Sequence, residues 1–371
     1  MFDNLYKIDD NSILTPSLIY YKDIIISNIK KAIEIAGGPN RLWPHVKSHK
    51  MKDMVKLQQN LGINKFKCAT IAEAEMLVNC QVDDVLLAYP LIGPNINRFI
   101  KLQKSAVKSR LWAIGDNFEQ LSKLSEQSIN EGIITRVLID VNLGMNRTGV
   151  PLNELEELYR SCYSLKGIEL QGLHCYDGNH NNKDIEIRKS DVRSKVTIIN
   201  KIKKSLEGDG LDCSILVMGG TPSFPCHSEY SNVYLSPGTA FINDYGYSIN
   251  LPDLDFIPGA AIATRVISHP NKDIFTLDLG YKGIASDPVG VRGIIIDFED
   301  KVTPLFQSEE HWVFKMNEGF EDSIPDIGTL LYVIPTHICP TSALYSGVLV
   351  AENNKIVDTW KVTARNRKIT I

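Results

Sequence analysis

Short runs rich in Val, Ile and Leu alternate along the first two thirds of the chain with longer stretches whose apolar residues recur every three to four positions. The short runs read as strands at 41–47 (RLWPHVK), 65–70 (KFKCAT), 84–90 (DVLLAYP), 110–115 (RLWAIG), 135–142 (TRVLIDVN), 168–176 (IELQGLHCY), 214–220 (SILVMGG) and 233–238 (VYLSPG). Between them, residues 50–61 place Met51, Met54, Val55 and Leu61 on one helical stripe, with Gly62 as the stop. Thr70 and Glu73 form a capping box ahead of IAEAEMLVNCQ, and residues 191–206 predict a long helix ending near Gly208. Eight such strand–helix steps imply a parallel βα array. Their number fits an α/β (β/α)8 TIM-type barrel better than an open doubly wound sheet.

After residue 250 the helical period fades. AAIATRVISHP, DIFTLDLG, VRGIIIDFE, KVTPLFQ, HWVFKM, GTLLYVIPTHIC, SGVLVAEN and KIVDTWKVT are β-type runs separated by turn residues, which predicts an all-β C-terminal domain. The expected division is a barrel over 1–248 and a β-strand domain over 249–371, the first residues being candidates to join the β domain. The segment 246–258, with Gly246, Pro252 and Pro258, is where the two should meet.

Composition narrows the function classes. With 371 residues, 43% of them hydrophobic and 23% charged, the chain is long enough for two separate cores. A formal net charge of -4 leaves no basic footprint for nucleic acid or an anionic membrane surface. No apolar run reaches the ~18 residues of a membrane span, and MFDNLYKIDDNS lacks the parts of a signal peptide, so a cytoplasmic protein is expected. The seven cysteines (68, 80, 162, 175, 213, 226 and 339) are scattered singly and odd in number. That argues for buried thiols and one candidate ligand rather than a disulfide framework, and makes the Asn146-Arg147-Thr148 sequon irrelevant.

Candidate chemistry starts at WPHVKSHK (43–50), four groups that can be cationic at the junction of an extended run and a helix. On a strand, His45, Lys47 and His49 share a face, and Lys47 ends the first barrel strand, at the end where such barrels keep their chemistry. A partly desolvated lysine among other cationic or donor groups has its neutral amine favoured, as Schiff-base chemistry requires. A solvated charge cluster is the plain alternative. A metal pair of His45 and His49 would need a helix, because on a strand they lie roughly 13 Å apart. At the ends of the seventh and eighth strands stand MGGTPS (218–223) and LSPGTA (235–240), glycine-bearing turns that let backbone N–H groups approach a phosphate. Each turn alone is ordinary. Together with a strand-one lysine they suggest a phosphorylated aldehyde cofactor.

With IDVNLGMNRTGV (139–150) added, the chain resembles the fold-type III, pyridoxal-phosphate family of alanine racemase, in which a G-M-x-R-x-G segment closes a barrel strand. Within it, WPHVKSHK resembles the R-P-H-x-K-T-H-K signature of the D-threonine aldolase and D-serine dehydratase branch, with Trp43 and Ser48 as departures. The likeness continues through CATIAEAE, LLAYP, GGTPS, LDLGYKGIASD and SEEHW to IPTHICPT (334–341). The resemblance implies that Lys47 carries pyridoxal 5'-phosphate, that Arg147 lies near its phenolic oxygen, and that Gly220, Thr221, Gly238 and Thr239 hold its phosphate. Tyr176 is expected over the cofactor or at its phosphate, and His174, on the same strand face, near the ring. His311 is a candidate base or supporting group, Asp278 and Asp287 are candidate lining residues, and His180 and His227 are read as loop residues.

The resemblance also implies a divalent metal, Zn or Mn, on His337 and Cys339, which an extended run would put on one face. Two protein ligands leave positions open for water and substrate. Aldolases of the branch often carry aspartate at the second ligand position and dehydratases cysteine. Cys339 therefore leans towards dehydration, while LDLGYKGIASD and HCYDGNH lean towards the aldolases. The expected activity is cleavage of D-3-hydroxy amino acids to glycine and an aldehyde, with D-serine dehydration as the second reading. A racemase, or a pyridoxal-phosphate carrier without turnover, is the remaining alternative. The implied partners are a small D-amino acid substrate and a second copy in a homodimer.

Overall fold

The computed structural model describes residues 5–371. It divides into two compact units, one of residues 30–47, 51–238 and 363–371, the other of residues 5–29, 48–50 and 239–362. A first strand, β1 (Ser17–Tyr21), and a helix, α1 (Lys22–Ala36), precede seven parallel strands that pair in chain order. These are β2 (Lys65–Cys68), β3 (Asp84–Leu87), β4 (Arg110–Gly115), β5 (Thr135–Asp140), β6 (Ile168–Cys175), β7 (Ile215–Met218) and β8 (Tyr234–Leu235). Parallel bridges from Leu42 to Leu235 and from His45 to Lys67 put residues 42–45 in the eighth position, as the barrel reading requires.

The closing segment is not the regular strand expected over 41–47. A 3-10 turn (Pro39–Arg41) precedes the bridges and another (Val46–Ser48) follows them. Trp43 and His45 donate their N–H groups to the carbonyls of Leu235 (2.7 Å) and Pro237 (2.9 Å), and Lys67 donates to the carbonyl of Pro44 (2.7 Å). Pro44 has no N–H to return towards β2, so the pairing there is half made and the chain leaves strand geometry one residue later. Lys47 therefore sits in a tight turn, its N–H donating to His45 Nδ1 (3.2 Å), and the strict alternation of His45, Lys47 and His49 does not hold.

Helices α2 (Lys52–Asn60), α3 (Ile71–Asn79), α4 (Pro94–Ser105), α5 (Phe118–Asn130), α6 (Leu155–Tyr163), α7 (Ile185–Gly208) and α8 (Phe224–His227) lie between the strands. The predicted cap is present in a shifted form: Thr70 Oγ1 accepts the Glu73 N–H at 3.1 Å, while the Glu73 carboxylate reaches past Thr70 to accept the Ala69 N–H at 2.7 Å. Helix α7 starts at Ile185, not 191, because Asp184 caps it by accepting the Glu186 N–H (2.8 Å) and the Arg188 guanidinium folds back onto the Asn182 carbonyl (2.7 Å). Inside the barrel, Trp43, Leu86, Trp112, Ile114, Leu138 and Val217 form one buried cluster. Trp112 and Ile114 are two apart on one strand, the spacing of residues that share the inner face.

In the second unit, β9 (Ala260–Asn271), β10 (Ile274–Leu277), β11 (Gly293–Ile295), β12 (Val302–Gln307), β13 (Trp312–Met316), β14 (Leu330–Pro335), β15 (Gly347–Glu352) and β16 (Lys355–Lys361) build a nine-stranded sheet with β1. Strand β1 runs antiparallel to β9 and parallel to β15. Two short helices accompany it, α9 (Tyr245–Asn250) and α10 (Ile338–Leu344). Helix α10 replaces the end of the extended run expected through Cys339. Asp244 accepts the Ile338 N–H at 3.0 Å, which starts the helix, and Pro340 falls in its first turn, where a missing N–H is tolerated. Among the described residues, no helix is long and apolar enough to cross a membrane.

Candidate active site

The C-terminal ends of the barrel strands gather cations around one aromatic ring. Tyr176 follows the last residue of β6, and three charges approach its ring centroid: Arg147 at 5.0 Å, Lys67 at 5.4 Å and Lys47 at 5.8 Å. Arg147 is carried by a loop after β5 that a bridge between Val141 and Val150 pinches shut. Gly149 (φ 103°) is required at its base, since a Cβ there would stand 2.4 Å from the Asn142 nitrogen. The G-M-x-R-x-G pattern is thus the geometry of a closed loop that presents an arginine.

The two glycine turns adjoin the same ring. Gly219 takes a left-handed conformation (φ 82°), and a Cβ on Gly220 would stand 2.9 Å from Tyr176 Cε2. Gly238 donates its N–H to Thr221 Oγ1 (3.2 Å), so the turns after β7 and β8 are tied together. The Gly220 N–H is engaged by Ser223 Oγ at 3.1 Å; Gly220 contributes space here rather than a donor. Ser223 in turn donates to Asp177 (2.6 Å), whose other oxygen meets His227 Nε2 at 2.7 Å. His227 is therefore a fully buried anchor of the phosphate-type turn on α8, not a loop residue. His180 is also mostly buried, its Nδ1 3.5 Å from Asp191.

Beneath these turns lies a polar triad that sequence reasoning saw only in part. His174 Nδ1 is 2.7 Å from Asp140 Oδ1, and its Nε2 is 3.4 Å from Lys67 Nζ. All three are buried. Nothing local in the sequence separates Lys67, two residues from Lys65 on a strand, from an ordinary solvated strand face. Burial, then the charge of Lys47, pulls the Lys67 amine down to about 7 against the pull of Asp140 and Asp177. Burial and then Lys67 lower His174, with Asp140 opposing.

The second unit holds the other donor set. His337 stands at the start of α10, and its Nδ1 is 2.5 Å from Asp287 Oδ2. Cys339 lies in the first turn of that helix, its Sγ 3.2 Å from Thr239 Oγ1. Thr239, expected with the phosphate, thus turns its hydroxyl to the thiol. Burial lowers the His337 imidazole, but Cys339 and Asp287 outweigh it and push it up to about 9. Asp278 accepts from Thr15 (2.5 Å), Thr264 (2.6 Å) and the Arg265 N–H (2.8 Å), which is a turn-and-sheet role, and the His311 side chain is exposed.

Both donor sets suit the groups the resemblance implies. An amine at Lys47, cations for an anionic cofactor, and a glycine cradle that a Cβ would fill fit pyridoxal phosphate. An imidazole backed by a carboxylate, with a thiol two residues on, fits a metal held by two protein ligands. Among the described residues, no group of three or more His, Cys, Asp and Glu side chains is placed to hold a metal ion.

Comparison with known proteins gives the chain its family. The family model for the alanine racemase N-terminal domain matches residues 22–246, well over half of the chain, and a serine dehydratase domain model matches 259–351. The chain is 27% identical to a D-threonine aldolase of Arthrobacter sp over 98% of its length and 94% of that protein. It is 24% identical to a D-serine dehydratase of Dictyostelium discoideum, covering 95% of this chain and 97% of that one. The crystal structure of D-threonine aldolase from Filomicrobium marinum superposes with a TM-score of 0.87 at 26% identity, covering 97% of both chains. The chain belongs to the alanine racemase N-terminal domain family, in the branch with a serine-dehydratase-type second domain, and is an enzyme of the pyridoxal-phosphate-dependent lyase class.

Proposed function

We propose that the chain cleaves the Cα–Cβ bond of D-3-hydroxy amino acids, giving glycine and an aldehyde. The observation that carries this is the full-length likeness to aldolases. The D-threonine aldolase of Arthrobacter sp (27%) and a 3-hydroxy-D-aspartate aldolase of Paracoccus denitrificans (26%) stand above the dehydratase of Dictyostelium discoideum (24%). Pyridoxal phosphate, when bound, supplies the electron sink for the pair released at Cα. The Lys47 amine would hold it, Arg147 would face its anionic edge, and the tied turns at Thr221 and Gly238 would seat its phosphate. Tyr176, whose ring adjoins Gly220, would close the cradle from the side. His174 would stand at the ring. His337 and Cys339 would hold a Zn or Mn ion, whose Lewis acidity suits the substrate hydroxyl. A homodimer is part of the same proposal, and the mass in solution tests it.

Dehydration of D-serine is the second reading, favoured by Cys339 at the position where the branch's aldolases often carry aspartate. Product analysis decides between them. D-threonine, or a bulkier D-3-hydroxy amino acid, should yield glycine and an aldehyde faster than D-serine yields pyruvate and ammonia. Pyruvate from D-serine, with no glycine from any D-3-hydroxy amino acid, reverses the order.

A further inference from the structure

Lys67 is 2% exposed, and the proposed reaction leaves it without a task. A lysine is seldom buried without a partner, and here the partner is an imidazole nitrogen rather than a carboxylate. Around it stand Lys47 from the closing segment, Asp140 from β5, Arg147 from the loop after it, and His174 and Tyr176 from the end of β6, with Asp177 beyond. Asp177 is already engaged by Ser223 and His227. Asp140 contacts His174 through Oδ1, and its Oδ2 makes no hydrogen bond.

The hydrogen-bonding roles follow from chemistry. A carboxylate only accepts, so the hydrogen of the 2.7 Å contact sits on His174 Nδ1. In a neutral ring that leaves Nε2 bare, and the Lys67 amino group, as ammonium or as amine, can donate an N–H to its lone pair. An imidazolium would lose that acceptor, and facing the ammonium form at 3.4 Å, out of water, it would be repelled. We propose that Lys67 is a positioning residue: with Asp140 it grips both ring nitrogens of His174 and holds the imidazole neutral, as the Nδ1–H tautomer, against the cofactor. The proposal rests on the reading that His174 lines the pyridoxal phosphate pocket. Held neutral, His174 adds no further charge to the field of Lys47, Lys67 and Arg147, and its ring cannot turn. The burial of both side chains and the lowered affinity of His174 for a proton agree with this grip.

The test is 15N NMR of the full chain labelled at histidine, with and without pyridoxal phosphate, from about pH 6 to about pH 9. The His174→Asn variant assigns the signal. In the unaltered protein His174 should show a protonated Nδ1 and a bare Nε2 throughout; an imidazolium or an Nε2–H tautomer overturns the proposal. In Lys67→Met, Asp140 is left unopposed and the His174 pKa should rise by about one unit or more, the pH profile of turnover moving the same way. Lys67→Arg, which keeps the charge, should retain the original state. Unchanged His174 titration in a folded Lys67→Met protein also overturns it, and the unaltered protein decides alone if that variant does not fold. A chain whose His174 behaves as stated but which takes up no pyridoxal phosphate would instead overturn the functional reading and leave the grip on His174 standing.

Discussion

Asp84 and Lys67 are buried charges on neighbouring strands of the barrel, and their partners separate their roles. Asp84, at the start of β3, accepts from Lys65 (2.7 Å), twice from Arg110 (2.8 Å each) and from Trp112 Nε1 (2.9 Å). It sits at the end of the strands that such barrels use for stability. Asp84→Asn should cost about 1–3 kcal/mol in urea unfolding at neutral pH. Burial works to raise the Asp84 pKa, but the donors outweigh it and the carboxyl is lowered. Its stabilisation is therefore present above the usual carboxylate value of about 4 and fades as pH falls below it. The gap between the two proteins should narrow towards pH ~3, and a gap that stays constant would show that the charge is not what matters. Lys47 belongs to the opposite end. Borohydride should fix pyridoxal phosphate to the peptide containing Lys47, and Lys47→Ala should lose that adduct; an adduct on another lysine would refute the assignment. Lys47 and Arg147 were legible in the sequence because each stands inside a dense local motif. Lys67 was not, and Asp287 reads only as a lining candidate with no partner, because His174 and His337 lie 107 and 50 residues away.

At the scale of elements, one bulge brings Asp140 and His174 together. Between β5 and β6 the register passes from Val137 opposite Leu170 to Leu138 opposite Gly172, so Gln171 is the extra residue. A one-residue slip turns every later side chain to the other face, which is how His174 comes to lie opposite Asp140. Gly172 permits this: a Cβ there would stand 1.8 Å from the Ile215 carbonyl oxygen on β7. Gly172→Ala should therefore destabilise the barrel by about 1–3 kcal/mol or more and disturb the His174 NMR signal before global unfolding. A variant with native melting and an unchanged His174 signal would refute the role. The number and order of strands could be read from the hydrophobic runs, since each run is locally apolar and each is followed by a helical period. The bulge could not, because IELQGLHCY reads equally well as a straight strand. The same limit hid α10: THIC looks extended until Asp244, nearly a hundred residues earlier, supplies the cap that starts a helix.

For the whole molecule, the two donor sets belong to different compact units, which makes their losses separable. Lys47, Thr221 and Gly238 lie in the barrel unit, and their contacts with His45, Tyr176 and one another are made within it. His337, Cys339, Asp287 and Thr239 lie in the β unit and likewise contact one another. A chelator should thus remove the metal and the activity while the visible absorbance of the bound cofactor persists, and His337→Ala should imitate the chelator. Lys47→Ala should do the reverse, losing the cofactor adduct while metal analysis still finds the ion. If turnover survives exhaustive chelation, with metal analysis confirming none is bound, the His337 and Cys339 assignment is wrong. If chelation releases the cofactor as well, the two sets do not act independently. The Lys47→Ala protein then tells which depends on the other: metal retained without cofactor means that the ion helps hold the cofactor and not the reverse.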